Sequence, residues 1–295
     1  MKSHRRGIEI FLLRLLVSFF ASLPERTSLR CGRMLGVIIY HILGKRRDIA
    51  FQNMHLCKIG NDISDRKKIL RRCMENFGMT AAEFLRQKIY SEEQYRNKII
   101  IRDLKPFDKS FFQNRGVFLL SGHFDNWELL IQGVAARGYK NSMLVRQQHN
   151  LSVDDLINSL RRNNNVDVII AETSPRKILR ALKNQRGVAT LLDIWGGRDG
   201  HMAELFGHKV STPAGVLEIA VRQKVPILIG FMERLNDGRH LLENVDIIIP
   251  GEDEKYPDLD SVIEQYHRRL EEAIRKKPIF WLWTHKRFKN IIDYK

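Results

Sequence analysis

His123 and Glu128 are the residues whose types and spacing could do chemistry. Four residues separate them in the stretch Ser121-Gly-His-Phe-Asp-Asn-Trp-Glu128. An imidazole takes up a proton near neutral pH, and a carboxylate on one ring nitrogen fixes the tautomer and stabilises the imidazolium. Such a pair is a general base for a hydroxyl, and no nucleophilic Ser or Cys is needed where the acceptor alcohol itself attacks. On one ideal helix, positions five apart face about 140° from each other, so the pairing requires a turn between them. Asp125-Asn126-Trp127-Glu128 also has the spacing of a capping box, in which Glu128 would only satisfy backbone donors at a helix start.

The flanking elements supply that turn. Gly116 to Gly122 is a short apolar run with β-branched and aromatic members, which reads as a buried strand; Trp127, Leu130, Ile131 and Val134 then fall at helical spacing from Asn126 to Arg137. His123 therefore stands where a strand ends and a helix begins, the edge of an open α/β sheet at which ligands bind. Further strands are expected at 142–145, 167–171, 187–192, 225–231 and 245–249. Ser174-Pro175 and Thr212-Pro213 each pair a capping hydroxyl with proline at the first helical position. Helices are expected over 28–43, 65–86 and 259–276, the last ending in Arg275-Lys276-Lys277-Pro278. The fold class is thus α/β, a mainly parallel sheet flanked by helices on both faces.

The chain has 295 residues and a formal charge of +16, from 50 Lys and Arg against 34 Asp and Glu. That balance fits a polyanionic partner such as nucleic acid, anionic membrane lipid or an acidic carrier protein; its bland alternative is a generally basic surface. Nucleic acid is not expected, because zinc spacing, an RNP-type strand and a helix-turn-helix are all lacking. Gly196-Gly197-Arg198-Asp199-Gly200 has neither dinucleotide nor Walker spacing. Cys31, Cys57 and Cys73 form no C-x-x-C pair, so reduced thiols and no metal site are expected. At the N-terminus, Lys2, His4, Arg5 and Arg6 precede an apolar segment, Ile8 to Leu23, with Ile8, Phe11, Leu12, Leu15, Leu16 and Phe19 on one stripe. The pattern suits a helix lying at a membrane interface, with an ordinary core helix as the alternative. The segment is short of the roughly 20 residues a span requires and contains Arg14. Residues 1–24 are accordingly expected to be a membrane-associating helix and residues 25–295 a single domain.

The His-x4-Glu pair in the wording Ser-Gly-His-Phe-Asp-Asn-Trp-Glu resembles the H-x4-D/E motif of the glycerolipid acyltransferase superfamily. Within it, the late acyltransferases of lipid A assembly and the related mycobacterial phosphatidylinositol mannoside acyltransferase are the most similar in wording. Arg47 to Met54 is similar to the family's basic segment leading to an asparagine. Leu144-Val145-Arg146 and Leu191-Leu192-Asp193 resemble its strands ending in an arginine and an acid. Glu204-Leu-Phe-Gly207 with Thr212-Pro-Ala-Gly215, and Trp281 to Lys289, resemble its remaining signatures.

The resemblance implies transfer of a fatty acyl chain from a thioester, carried by acyl carrier protein or coenzyme A, to a hydroxyl of a glycolipid such as a lipid A precursor. The place implied is the cytoplasmic face of the bacterial inner membrane, on anionic lipid, with no cofactor beyond the thioester co-substrate. His123 would be the base, Glu128 would hold it, and Asp193 would be an auxiliary acid. Arg146 with Arg161 or Arg162 would face an anionic headgroup, and Phe206 and Gly207 would line the acceptor or acyl pocket. Asn126 is counted with the substrate-facing residues, its alternative being to shape the turn. Acylation of another lysolipid, or a membrane-surface protein that kept the fold without turnover, are the rival readings. The second is sustained by Asp125, which replaces the family's common glycine and would bring a negative charge beside the base.

Overall fold

A computed structural model describes residues 2–163, 165–171, 175–249 and 256–294, with side chains from Arg6 onward. Four helices come first: α1 (Lys2–Ser22), α2 (Glu25–Ile42), α3 (Gly44–Leu56) and α4 (Ile63–Leu85). A strand-helix alternation follows: α5 (Glu92–Lys98), β1 (Ile99–Ile101), α6 (Lys105–Phe111), β2 (Val117–Ser121), α7 (Trp127–Ala135), β3 (Asn141–Val145), α8 (Leu151–Arg161), β4 (Val166–Ile170), α9 (Pro175–Lys183) and β5 (Gly187–Leu191). The chain continues through β6 (His201–Leu205), β7 (His208–Thr212), α10 (Gly215–Gln223), β8 (Ile227–Arg234), β9 (His240–Ile248) and α11 (Leu259–Lys276). Ser174, the expected cap of α9, lies outside the described residues.

Seven strands form one sheet in the order β1-β9-β8-β2-β5-β3-β4, and every neighbouring pair is parallel except β8 with β9. The expected mainly parallel α/β sheet is therefore present. Successive β2 side chains point to opposite faces, as a strand requires. Phe118 and Leu120 join a core with residues of α3, α4, α9, α10 and α11, while Val117 and Leu119 join one with α5, α6 and α7. Both faces are covered, which explains the unbroken apolar wording of β2. The three-residue β1 and the separate β6–β7 hairpin were not expected; each is too short or too exposed to show a core-strand pattern.

Helix α1 packs Phe20 inward and leaves Ile8, Phe11, Leu12, Leu15, Leu16 and Phe19 at least 43% exposed. Its first turns are tied down by Asn150, whose Nδ2 donates to Arg6 O and to the Glu9 carboxylate, both at 3.0 Å. Among the described residues, no helix is long and apolar enough to cross a membrane.

Candidate active site

The register of the sheet brings His123 to an acid. In the β2–β5 pair Ser121 stands beside Leu191, so two residues further on His123 and Asp193 leave adjacent parallel strands side by side. His123 Nδ1 lies 2.8 Å from Asp193 Oδ1, and the His123 backbone N–H donates to Oδ2 at 2.7 Å. The Trp281 indole donates to the same Oδ2 at 2.9 Å. Gly122 makes room for this arrangement, since a Cβ there would meet the Asp193 carboxylate at 3.2 Å.

Burial alone would raise the Asp193 pKa, but the charge and hydrogen bond of His123 and the Trp281 indole outweigh it and hold the carboxyl below its usual range. Burial likewise pulls His123 down, and Asp193, with a further contribution from Glu128, reverses this and raises its pKa above 6.5. With Asp193 holding the proton on Nδ1, Nε2 is the bare acceptor of the neutral ring. Among the described residues Nε2 has no hydrogen-bond partner, and the side chain stays 24% exposed. The ring also meets Trp127 edge-on at 4.8 Å.

Glu128 is placed differently from expectation. Its carboxylate receives Arg161 Nε at 3.1 Å and Nη2 at 2.6 Å, a buried pair between α7 and α8, and it influences His123 through space only. Nor is it part of a capping box: Asn126 caps α7, its Oδ1 accepting from Leu129 N at 3.0 Å, and Asp125 N donates to Phe280 O. Fully buried Asn126 sends its amide to Glu83 Oε2 at 2.7 Å, as its turn-shaping alternative requires. Asp125 turns its carboxylate to Asn76 and His240, away from His123, which corrects the expectation of a charge beside the base.

His123, Trp127 and Glu128 open onto a cavity of about 340 Å³. Its walls are largely apolar, with Leu119, Ile131, Met143 and Ala189 among them, and Arg146, Arg161 and Thr190 supply polar groups. That size and lining fit a small-molecule site. Arg146, exposed at the end of β3, has no ion pair among the described residues, whereas Arg161 is spent on Glu128. Arg162 is exposed at the end of α8 and is not part of the wall. Phe206 and Gly207 form the tight turn between β6 and β7, both at positive φ, and lie against α11 with the Arg275 guanidinium 4.9 Å over the Phe206 ring. They do not line this cavity either.

The segment from Phe280 to Leu282 closes the site from behind. Leu282 N donates to His123 O at 3.0 Å, Phe124 and Trp281 form a β-bridge, and Cys73 Sγ contacts Trp281 O. The role of Trp281 escaped sequence reasoning, although its tryptophan-rich wording was a signal that could have found it. Ser121, on the α7 face of β2, also borders the cavity, and its buried hydroxyl has no partner among the described residues.

Comparison with known proteins places the chain in a family. A family model described as bacterial lipid A biosynthesis acyltransferase matches residues 2–290. The chain is similar to the lipid A biosynthesis palmitoleoyltransferase of Escherichia coli (strain K12), at 25% identity over 275 residues, 92% of this chain and 88% of the relative. The lipid A biosynthesis acyltransferase of Shigella flexneri is similar to the same extent, at 25% identity over 275 residues.

Proposed function

The chain belongs to the bacterial lipid A biosynthesis acyltransferase family, and from that premise we propose that it moves a fatty acyl chain from a thioester to a hydroxyl of a lipid A precursor, with His123 as general base. The observation that carries this reading is the Asp193–His123 pair, with Nε2 unpartnered among the described residues and His123 lining a largely apolar cavity. Nε2 takes the proton of the acceptor hydroxyl as its oxygen attacks the thioester carbonyl carbon. The tetrahedral intermediate collapses with loss of the C–S bond, and the departing thiolate takes the proton from Nε2. Asp193 stays ionised throughout and steadies the transient imidazolium.

The negative charge on the carbonyl oxygen calls for donors aimed at it. Among the first N–H groups of α7, Leu129 N is taken by the Asn126 cap, which leaves those of Trp127 and Glu128 without intrahelical acceptors; these, and Arg146 at the cavity wall, are suited to it. Arg146 also suits an anionic group of the acceptor, because among the described residues its guanidinium has no ion pair. The apolar walls suit the acyl chain. The rival without turnover loses its support, since Asp125 faces away from the base.

Residues 1–24 serve in this reading as the membrane contact and 25–295 as the catalytic domain, held on the cytoplasmic face of the inner membrane by anionic lipid. The exposed apolar side of α1 and the net charge of +16 support it. Acyl carrier protein and coenzyme A thioesters remain the two donor classes. The test is acyl transfer by purified protein in detergent, from both classes, to a tetraacyl lipid A precursor and to a lysophospholipid, with product mass measured beside His123→Ala. Transfer to the lipid A precursor that vanishes in the variant is expected. Transfer only to the lysophospholipid would move the acceptor to another lipid, and equal transfer by the variant would remove His123 from the chemistry.

A further inference from the structure

On the side of the 123–126 turn away from the cavity lies a cluster of ionic side chains, none more than 8% exposed: Glu83 of α4, Lys98 of α5, Asp125, Arg234 of β8 and His240 of β9. Arg234 Nη1 and Nη2 reach Glu83 at 2.9 and 2.7 Å, and Lys98 Nζ lies 2.8 Å from it. His240 stands between the two acids, Nδ1 at 2.6 Å from Asp125 Oδ2 and Nε2 at 3.2 Å from Glu83 Oε1. A neutral ring can donate to one carboxylate only and would aim its lone pair at the other. The imidazolium donates to both. Burial and Arg234 disfavour that charge, but Asp125 and Glu83 outweigh them and raise the pKa of His240 above 6.5. Glu25, paired with Lys98 at the rim, completes three acids against three cations, with the Tyr90 ring alongside.

Asp125 is the member that lies within the turn itself. Its φ is +47°, a left-handed conformation that costs a non-glycine residue about 1 kcal/mol or more. Every polar handle that could hold it there is engaged. Its N–H donates to Phe280 O at 2.9 Å, its C=O receives Thr80 Oγ1 at 3.4 Å, and Oδ1 receives Asn76 Nδ2 at 3.1 Å with Arg234 Nε 3.6 Å away. Two residues earlier the same main chain carries His123, and one residue later it carries Asn126, the cap of α7, itself bound to Glu83. We propose that Asp125 is a positioning residue whose carboxylate, gripped by the His240 imidazolium, Arg234 and Asn76, fixes the main chain between the base and α7, and that deprotonation of His240 loosens the grip.

This inference rests on the acyl-transfer reading for its kinetic arm, while a second arm needs no turnover. The variants are Asp125→Asn, which keeps size and tolerates the left-handed backbone, and Asp125→Gly, which removes the backbone strain with the carboxylate. In the full chain in detergent, kcat and KM for transfer to the lipid A precursor are measured across pH, and the His123 ring is titrated by nitrogen NMR. Wild type is expected to lose kcat at high pH as His240 gives up its proton. In Asp125→Asn, kcat falls about tenfold with KM within about twofold, and the alkaline fall moves to lower pH because the main anion raising His240 is gone. Asp125→Gly loses on the order of a hundredfold, the scale of an ångström misplacement of a catalytic group. In both, the His123 titration moves down toward 6.5 as its pairing with Asp193 slackens.

Asp125→Gly with wild-type kcat would mean that only the turn's backbone geometry matters, and would overturn the proposal. So would an Asp125→Asn protein, folded by circular dichroism, whose pH profile and His123 titration are unchanged. If wild type shows no transfer, the proposed function fails and the His123 titration alone decides the role of Asp125.

Discussion

Replacing Asp193 with Asn is the most incisive perturbation of the site. The amide is nearly isosteric, so the cavity and the Gly122 contact are preserved. What changes is the hydrogen bonding: the carboxylate receives His123 Nδ1 at 2.8 Å, His123 N at 2.7 Å and Trp281 Nε1 at 2.9 Å. Asn has one acceptor oxygen and one donor nitrogen for three donors. If the oxygen serves the backbone and indole, the NH2 faces Nδ1 and forces the proton to Nε2, where it blocks the base. An Asp-to-Asn change of this kind costs on the order of 10⁴ in kcat. The Asp193 charge is also the chief influence that raises His123, while burial pulls it down, so the acid limb of kcat/KM should move from above 6.5 to below it as the plateau falls. The assay is kcat/KM from about pH 5 to 9 for Asp193→Asn beside Glu128→Gln. Activity within about tenfold of wild type, or an unmoved acid limb in Asp193→Asn with the large loss in Glu128→Gln, would refute Asp193 as the orienting acid.

The Asp193 carboxyl, lowered in the fold, also contributes stability that is present above its ordinary value of 3.8 and lost as pH falls through the folded value, so thermal midpoints should drop below about pH 4 in wild type and less so in Asp193→Asn. Arg161→Met leaves Glu128 buried and uncompensated and should cost about 3–5 kcal/mol in denaturant unfolding, much of it recovered by adding Glu128→Leu. Arg146→Ala should raise KM for the phosphorylated acceptor about tenfold at nearly constant kcat if the guanidinium holds the acceptor, whereas a fall in kcat would assign it to the oxyanion, a split read directly from initial rates. Leu15→Glu with Leu16→Glu should abolish flotation with anionic liposomes without moving the thermal midpoint, because both side chains are already exposed, and wild-type flotation should weaken as salt rises.

The strand pattern made one half of the site legible: the apolar run from Gly116 to Gly122 was visible as a strand with His123 at its end, and 187–192 was visible as another. Asp193 came only through the family resemblance, as an auxiliary acid, because strand order is not written in local pattern; it is the neighbouring of β2 and β5 in register that makes it the direct partner of His123. The fate of Glu128 was not legible, because its partner Arg161 arrives from α8, whose packing over α7 has no local signature. Asp125 misled for a related reason. A residue beside a histidine in sequence sits beside it in space only on a regular backbone, and a left-handed φ swings this carboxylate to the opposite side. The three-residue β1 was hidden in a short isoleucine run, and the acid-base partners of His240 come from elements distant in sequence.

The backbone pairing of His123 with Leu282, and the indole of Trp281 on Asp193, also set an order of events during synthesis. A nascent chain leaves the ribosome from its N-terminus, so α1, His123 and Asp193 all emerge well before residues 280–282. Until that later segment arrives, Asp193 lacks one of its donors and the turn carrying His123 lacks its brace. The exposed apolar side of α1 is thus made long before the contacts that brace His123 and Asp193, and the pair is complete only once residues 280–282 have folded against it.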